Sequence, residues 1–336
     1  SFLLRFYLCI LIQNCTLMIT YVLFAVGLVF LLKGGDLLVD GASALAQKFN
    51  ISPIVIGLTV VAFGTSAPEL IVNILAANSG NTEIAIGNVL GSNIANIFLV
   101  LGIAALIPPI AAKRNTVLKE IPLSLLAALF VGLAANDALF DGAAASVFSR
   151  IDGLVCFLFM SIFMYYVFSI TKSEEDILET DIPLISPFRA SAYVGLGLVA
   201  LFAGGKWVVD GAVKMAGALG VSQSLIGLTI VAVGTSLPEL ITSAVAAYKH
   251  KADIAIGNVV GSNIFNVFFV LGSSSIIRPL PFNPNDNGDI FVVILASIVL
   301  FWFMYIGRKR LLERWQGGML LSCYIAYLIY VISVKG

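Results

Sequence analysis

The sequence contains few charged residues and a single histidine. Only 11% of its 336 residues are Asp, Glu, Lys or Arg, whereas soluble globular chains carry about 25%. The formal net charge is zero, so the chain lacks the strongly basic balance of a nucleic-acid-binding protein. His250 lies in the charged stretch KHK, and the four cysteines show no ligand spacing. The paired His and Cys ligands that zinc and copper prefer are therefore missing.

The chain instead contains long apolar runs. Hydrophobic residues make up 60% of the chain, and its mean hydropathy is +1.03. Several runs reach the roughly 20 residues that an α-helix needs to cross a bilayer. We therefore expect an all-α integral membrane protein that crosses the lipid bilayer of the cell membrane many times. The predicted spans are ten: 19–45, 52–77, 84–107, 117–134, 151–170, 191–215, 222–247, 254–277, 289–306 and 316–334.

The basic residues of the loops predict the orientation of these spans, because cytoplasmic loops carry an excess of Lys and Arg. The loops after the odd-numbered spans hold Lys48, Lys113, Arg114, Lys119, Lys172, Arg189, Lys249, Lys251, Arg308, Lys309, Arg310 and Arg314. The opposite face holds only Arg150, Lys214, Arg278 and Lys335. We predict that both termini are extracytoplasmic and that the acidic linker over 172–190 is cytoplasmic.

An internal repeat divides the chain into two halves. A gapless alignment of 51–102 with 221–272 gives roughly 31 identities in 52 positions, which marks a duplication. Each half carries five predicted spans, and this odd number means that the second half enters the membrane inverted. Inverted repeats of transporters place the substrate site near the midplane, where the halves meet. We predict a first five-helix repeat over 18–171 and a second over 191–336, after an N-terminal extension over 1–17 with Met18 as an alternative start.

The first repeated motif is GTSAPEL, at 64–70, and GTSLPEL, at 234–240. Ser66 and Glu69 have the spacing of a helix capping box, with Pro68 in the first turn. At membrane depth, proline leaves a backbone carbonyl unpaired, which is tolerated where the backbone lines a cavity. We therefore expect a broken helix in which Ser66 and Glu69 cap the second half and face a cavity.

Each copy of this motif also places an acid inside an apolar span. Such an acid costs about 2.5–3.5 kcal/mol at the bilayer centre, and the chain accepts it at both Glu69 and Glu239 without a basic residue in either motif. Two carboxylates near a two-fold axis repel each other unless they are protonated or bridged by a cation, and a divalent cation would neutralise both.

The second repeated motif is GNVLGSNIAN, at 87–96, and GNVVGSNIFN, at 257–266. Ser92 and Asn96 are four residues apart and share one helical face, as do their counterparts Ser262 and Asn266. One interpretation is that the glycines let helices pack closely and that Ser92, Asn93, Ser262 and Asn263 only form bonds between helices. The other is that these faces meet the two glutamates in an all-oxygen shell. Ca²⁺ takes six to eight oxygen ligands.

The two motifs together resemble the alpha-repeats of the sodium/calcium exchanger family of cation/Ca²⁺ antiporters, which carry GTS-x-PE and GSN-x-x-N. The resemblance covers 18–336 and implies ten helices in two inverted halves, whose long first and sixth helices slide to alternate access. It implies that Ca²⁺ and Na⁺ are the transported ions, without an organic cofactor. The residues it assigns to these ions are Glu69, Glu239, Thr65, Ser66, Thr235, Ser236, the carbonyls of Ala62 and Ala232, Ser92, Asn96, Ser262 and Asn266.

One position departs from part of the family. Some microbial relatives, and the K⁺-dependent branch, have an aspartate where this chain has Asn266. The departure puts the number of titratable groups in question, and it implies transport without K⁺.

Two features of the long first and sixth spans have alternative interpretations. The glycine pairs Gly34-Gly35 and Gly204-Gly205 are points at which a span can bend or end. Asp36 and Lys206 occupy equivalent positions, so they either pair across the two helices or reach the membrane interface separately.

The sequence therefore predicts an antiporter that exchanges Na⁺ for Ca²⁺ and is not an enzyme, and we expect the monomer to be functional. Exchange of H⁺ for Ca²⁺ is disfavoured because no histidine lies within a predicted span and the repeated motifs hold no acids besides Glu69 and Glu239. A Ca²⁺ channel is disfavoured because channels usually build a pore from several subunits. An intramembrane enzyme is disfavoured because nothing resembles an activated nucleophile. The two carboxylates are neutralised by one Ca²⁺ or two Na⁺, and the exchange ratio stays open.

Overall fold

The computed structural model describes residues 2–80, 82–171, 185–220 and 232–335, with side chains over 19–80, 85–171, 185–220 and 233–333. The main helices are α1 Phe2–Lys48, α2 Pro53–Thr65, α3 Ala67–Ser79, α4 Ala85–Leu106, α5 Thr116–Ala134, α6 Arg150–Ser169, α7 Pro187–Ala218, α8 Ala232–Thr235, α9 Leu237–Tyr248, α10 Ala252–Ile277, α11 Pro284–Phe303 and α12 Arg314–Lys335. A further short helix is Asp137–Phe140, and the strands are β1 Ile110–Ala111, β2 Val147–Phe148, β3 Leu280–Pro281 and β4 Leu311–Leu312.

Nine of the ten predicted spans lie largely within the described residues. Eight single helices are long and apolar enough to cross a membrane, and α2 and α3 form a ninth span that is bent by 44°. The predicted seventh span, 222–247, is described only from α8 onward, because 221–231 lie outside the described residues. Most of the predicted linker and the side chains of the N-terminal extension also lie outside the described part of the chain. The all-α membrane fold is confirmed, while the count of ten spans stays a prediction.

Two helices form the centre of the molecule, α4 and α10, which carry the second repeated motif. The apolar stretch of α4 is 83% buried and that of α10 is 94% buried, whereas those of the other six single spanning helices are 28–39% buried. The burial of α10 depends on close contact with α2. A Cβ built at Gly261 would lie 2.9 Å from the Leu58 carbonyl oxygen. Small residues therefore bring a helix of the second half against a helix of the first half.

The two long helices α1 and α7 pack against each other through glycines at seven-residue intervals. A Cβ at Gly34 would lie 2.9 Å from the Gly197 carbonyl oxygen, and one at Gly27 would lie 2.9 Å from that of Gly204. Residues further along α1 contact residues earlier in α7, so the two helices are antiparallel. Each helix continues through its glycine pair, so neither span ends there. The glycines instead permit close backbone approach.

Asp36 of α1 and Lys206 of α7 do not pair with each other. Lys206 binds Asp210 on its own helix, at 3.0 Å. Asp36 and Asp40 of α1 bind Lys249, which follows α9, at 3.1 and 2.8 Å. Burial lowers the pKa of Lys249, but the hydrogen bonds that its ammonium group donates to the two aspartates outweigh this effect, and the pKa is raised. An Asp36–Lys206 pair is therefore not formed, and α1 is instead joined to the end of α9.

Short antiparallel strand pairs connect the two halves at their loops. β1 pairs with β4, with Ile110 opposite Leu312, and β2 pairs with β3, with Phe148 opposite Leu280. Each pair takes one strand from each half of the chain. The loops therefore hold the two halves together as well as joining consecutive helices.

Candidate functional site

The two proline-containing motifs break their helices with the same geometry. Ser66 separates α2 from α3 with φ −82° and ψ 5°, and Ser236 separates α8 from α9 with φ −85° and ψ 5°. Neither serine side chain caps the helix that follows, so the predicted capping box is wrong. Pro68 occupies the second position of α3 and has no N–H to donate. The Ser66 hydroxyl is therefore available to other partners.

The two glutamates of these motifs lie at the centre of the protein, each 0% exposed. Ser92 on α4 donates to Oε1 of Glu69 at 3.3 Å. Ser66 donates to Oε1 of Glu239 at 3.2 Å, across the two halves. The Oε2 atoms of both carboxylates are buried without a hydrogen-bond partner among the described residues. The two carboxylates are also close enough to repel each other when both are charged.

Four asparagines join the centres of α4 and α10 with near two-fold symmetry. Asn96 Nδ2 donates to Oδ1 of Asn263 at 3.0 Å, and Asn266 Nδ2 donates to Oδ1 of Asn93 at 3.0 Å. Asn93 Nδ2 also donates to the Asn263 carbonyl at 3.2 Å. The Oδ1 atoms of Asn96 and Asn266 have no partner among the described residues and are buried. Asn93 and Asn263 thus form the predicted bonds between helices. They accept from the amide nitrogens of Asn96 and Asn266, whose Oδ1 atoms are left without a partner among the described residues.

The carbonyl of Ala62 lies in the same region. It accepts hydrogen bonds from the hydroxyls of Thr65, at 3.3 Å, and Ser262, at 3.4 Å. The Thr65 hydroxyl also contacts Asn258 Oδ1 at 2.9 Å. The sequence places Ser262 on a face that meets Glu239, but the hydrogen bond of its hydroxyl goes to the first half of the chain.

The counterparts of Ala62, Thr65 and Ser66 in the second half of the chain are Ala232, Thr235 and Ser236. Ala232 begins α8, directly after the stretch 221–231 that lies outside the described residues. The Thr235 hydroxyl is within hydrogen-bonding reach of Glu69. The Ser236 hydroxyl is buried, without a partner among the described residues.

The structure thus buries carboxylate, amide and hydroxyl oxygens of both motifs where the two halves of the chain meet. Five of them lack a hydrogen-bond partner among the described residues: Glu69 Oε2, Glu239 Oε2, Asn96 Oδ1, Asn266 Oδ1 and Ser236 Oγ. Neither carboxylate is paired with a basic side chain in the described parts of the chain. A buried charge without a partner is costly, and carboxylate, amide and hydroxyl oxygens are ligands of hard cations. The donor set therefore fits a hard cation such as Ca²⁺ or Na⁺.

A second polar layer next to this region was missed by the sequence analysis. Asn88 donates to Asn73 Oδ1 at 2.7 Å, and at the equivalent positions Asn258 donates to the Ser243 hydroxyl at 2.9 Å. Asn73 lies one helical turn beyond Glu69, and Asn88 lies one turn before Ser92. The signal was available, because Asn88 and Asn258 occur in the repeated IAIGNV tract and share the helical face of the serines.

A third buried carboxylate lies outside the site. Glu120 on α5 is 0% exposed, and the Tyr166 hydroxyl of α6 donates to it. It contacts neither repeated motif through a hydrogen bond of the described residues. His250 is exposed after α9, as expected of a loop residue.

Comparison with known proteins agrees with these observations. The model of the sodium/calcium exchanger protein family matches residues 19–169 and 190–333. The chain belongs to the sodium/calcium exchanger family. CaxA of Alkalimonas amylolytica is 40% identical over 92% of this chain and 97% of its own length. The sodium/calcium exchanger MaX1 of Methanosarcina acetivorans is 33% identical over 94% of this chain and 99% of its own length.

A solved exchanger structure has the same fold. The sodium-calcium exchanger NCX_Mj, soaked with 2.5 mM Na⁺ and 0.1 mM Ca²⁺, superposes with a TM-score of 0.79 at 34% identity, covering 94% of this chain and 98% of that one. The family predicted from the two motifs is confirmed. As a member of the sodium/calcium exchanger family, the chain is a multi-pass membrane transporter for cation/Ca²⁺ antiport and not an enzyme.

Proposed function

We propose that this protein exchanges Na⁺ for Ca²⁺ by alternating access at the buried site between its two halves. The observation that carries the proposal is the pair of fully buried carboxylates, Glu69 and Glu239, each with one oxygen lacking a partner among the described residues. One carboxylate comes from each half of the chain, so a single cation between them connects both halves.

The charge of the site favours a divalent cation over a monovalent one. Two negative charges in an apolar interior require compensation, and no basic side chain of the described residues supplies it. One Ca²⁺ or two Na⁺ neutralise the pair, whereas a third Na⁺ would leave a net positive charge. Because both ions need the same carboxylates, occupancy by one excludes the other. The two fluxes are coupled because the two buried charges must be neutralised by bound cations before the site can change access.

The ligands in this proposal are the oxygens that the repeated motifs supply. Ca²⁺ takes six to eight oxygens at about 2.3–2.6 Å in flexible geometry, and the site offers more than that number, so Na⁺ ions can use different subsets. The proposed ligands are Glu69, Glu239, Thr65, Ser66, Thr235, Ser236, the carbonyls of Ala62 and Ala232, Ser92, Asn96, Ser262 and Asn266.

Na⁺ is the proposed coupling ion for two reasons. Relatives over almost the whole chain are named sodium/calcium exchangers. The free oxygens beyond the carboxylates are neutral amides and hydroxyls, which bind a metal ion and not a proton at neutral pH. We further propose that α1 and α7 move together as the antiparallel pair that alternates access, and that the monomer is the functional unit because one chain supplies every proposed ligand.

Flux into proteoliposomes tests the coupling. Vesicles loaded with Na⁺ and diluted into Na⁺-free medium should accumulate ⁴⁵Ca²⁺, and a Na⁺ ionophore should abolish the uptake. Uptake driven by a pH gradient in the complete absence of Na⁺ would instead establish H⁺ coupling. Ca²⁺ current that follows voltage alone, without any countergradient, would establish a channel.

A further inference from the structure

A cationic pocket lies at one end of the helices, away from the ion site. It has a volume of about 240 Å³, or roughly eight times the share of one water in the liquid. It opens between the start of α5 and the loop that joins α11 to α12. Its lining residues are Arg114, Val117, Leu118, Tyr305, Lys309 and Arg310. Three of the six are basic, and none is acidic.

The backbone of this pocket is held in place by the β1–β4 pair. The Ala112 amide donates to the Arg310 carbonyl at 2.8 Å, and the Arg310 amide donates to the Met304 carbonyl at 2.7 Å. Arg310 itself has φ 61°, a left-handed conformation that a non-glycine residue adopts at a cost. The loop is therefore fixed from both sides, and it presents Lys309 and Arg310 beside Arg114.

The acidic residues around the pocket are already paired with other groups. Glu313 binds Arg308 at 3.7 Å and accepts from the Trp315 indole at 2.7 Å. Asp253 binds Lys113 at 3.0 Å. Among the described residues, the pocket's own three cations make no ion pair. The N-terminal end of α5 adds the positive end of a helix dipole, which attracts anions.

Exposed aromatic residues indicate that the pocket lies at the level where the bilayer meets water. Tyr305 and Trp315 are 41% and 47% exposed, and exposed aromatic residues at helix ends mark the headgroup region. Leu118, on the pocket's wall, is 47% exposed. One edge of the pocket is therefore apolar and faces the lipid, while the other carries uncompensated positive charge.

We propose that this pocket binds the phosphate headgroup of an anionic phospholipid, such as phosphatidylglycerol or cardiolipin. The cations hold the phosphate, and an acyl chain lies along Leu118. Cytoplasmic leaflets carry the anionic lipids that basic pockets between helices bind, and the loop charges predict that this face is cytoplasmic. A bound lipid would join the start of α5 to the loop before α12, which come from different halves of the chain.

The test compares two variants with the same loss of charge. The pocket variant carries Arg114→Gln, Lys309→Gln and Arg310→Asn, since asparagine tolerates the left-handed backbone at 310. The control carries Lys48→Gln, Arg189→Gln and Lys251→Gln, in which three cations that do not line the pocket are removed from the same predicted face. Native mass spectrometry of protein released from mixed nanodiscs then counts phosphatidylglycerol or cardiolipin bound relative to phosphatidylcholine.

At about a fivefold contribution per basic residue near an anionic surface, the pocket variant should bind anionic lipid about a hundredfold more weakly, and the control should bind like the wild type. Lys309→Gln alone should weaken binding about fivefold, and it tests the proposal even if the triple variant does not fold. Equal losses in pocket variant and control, or no loss in either, would overturn the proposal. Complete displacement of the lipid by millimolar inorganic phosphate would identify a small-anion site and overturn the lipid assignment.

Discussion

Replacing either site glutamate by glutamine should weaken Ca²⁺ binding far more than Na⁺ binding. The substitution keeps one oxygen ligand and the side-chain volume but removes one negative charge. At about 4 Å and an effective dielectric of 20, one unit charge contributes roughly 4 kcal/mol to a monovalent cation and roughly 8 kcal/mol to a divalent one. These gross values are reduced by desolvation, but the twofold ratio between them is kept. The loss factor for each bound Na⁺ should therefore appear roughly squared for Ca²⁺, and a single Na⁺ is enough to neutralise the one carboxylate that remains.

The chain supplies a matched control for this prediction. Glu120→Gln removes an equally buried carboxylate, but its hydrogen bond comes from Tyr166 and not from the site. Folding of the two site variants, Glu69→Gln and Glu239→Gln, should survive, because losing a charge inside the membrane lowers the insertion cost.

The assay measures two fluxes in the same proteoliposomes. ⁴⁵Ca²⁺ uptake against a Na⁺ gradient reports the divalent cation, and ²²Na⁺/Na⁺ exchange reports the monovalent one. The site variants should lose Ca²⁺ uptake while retaining measurable Na⁺ exchange, and Glu120→Gln should retain both. Equal losses of both fluxes in a variant that folds normally would refute the charge argument, and normal Ca²⁺ uptake by either site variant would refute the site.

Three further predictions concern packing, protons and K⁺. Gly197→Ala should destabilise the protein by about 1–3 kcal/mol through overpacking and slow transport, because its Cβ would lie 2.7 Å from the Leu38 amide nitrogen; Gly195→Ala, with open space around it, is the control and should leave the thermal unfolding temperature unchanged or raised. Ca²⁺ flux should fall as the pH is lowered while Na⁺/Na⁺ exchange falls less steeply, since a proton on a site carboxylate removes the same charge as the glutamine substitution, and parallel pH profiles would contradict this. Wild-type flux should be equal in K⁺ and in choline under voltage clamp, and a wild-type flux that stops without K⁺ would show this interpretation to be wrong. The Asn266→Asp variant should lose the hydrogen-bond donor to Asn93 Oδ1, and its flux should become sensitive to K⁺ or pH.

The composition and the repeat are by themselves enough to determine the class of this protein. A chain with 60% hydrophobic residues and 11% charge has to satisfy its backbone within helices that cross a membrane. The two motifs, repeated 170 residues apart, single out Glu69 and Glu239, because an acid at membrane depth is too costly to occur twice without a use. The tertiary structure places both at the centre of the protein.

Only the tertiary structure decided which groups those residues contact. Local spacing made Ser66 a cap for its own helix, but its hydroxyl donates to Glu239 in the other half. Spacing likewise placed Asn96 on the face of Ser92, but its amide partner is Asn263 on α10. A sequence pattern shows which residues share a helical face. Their partners depend on how two copies of the same motif cross, and that crossing is set by close backbone contacts at glycines such as Gly261 and by the burial of whole helices.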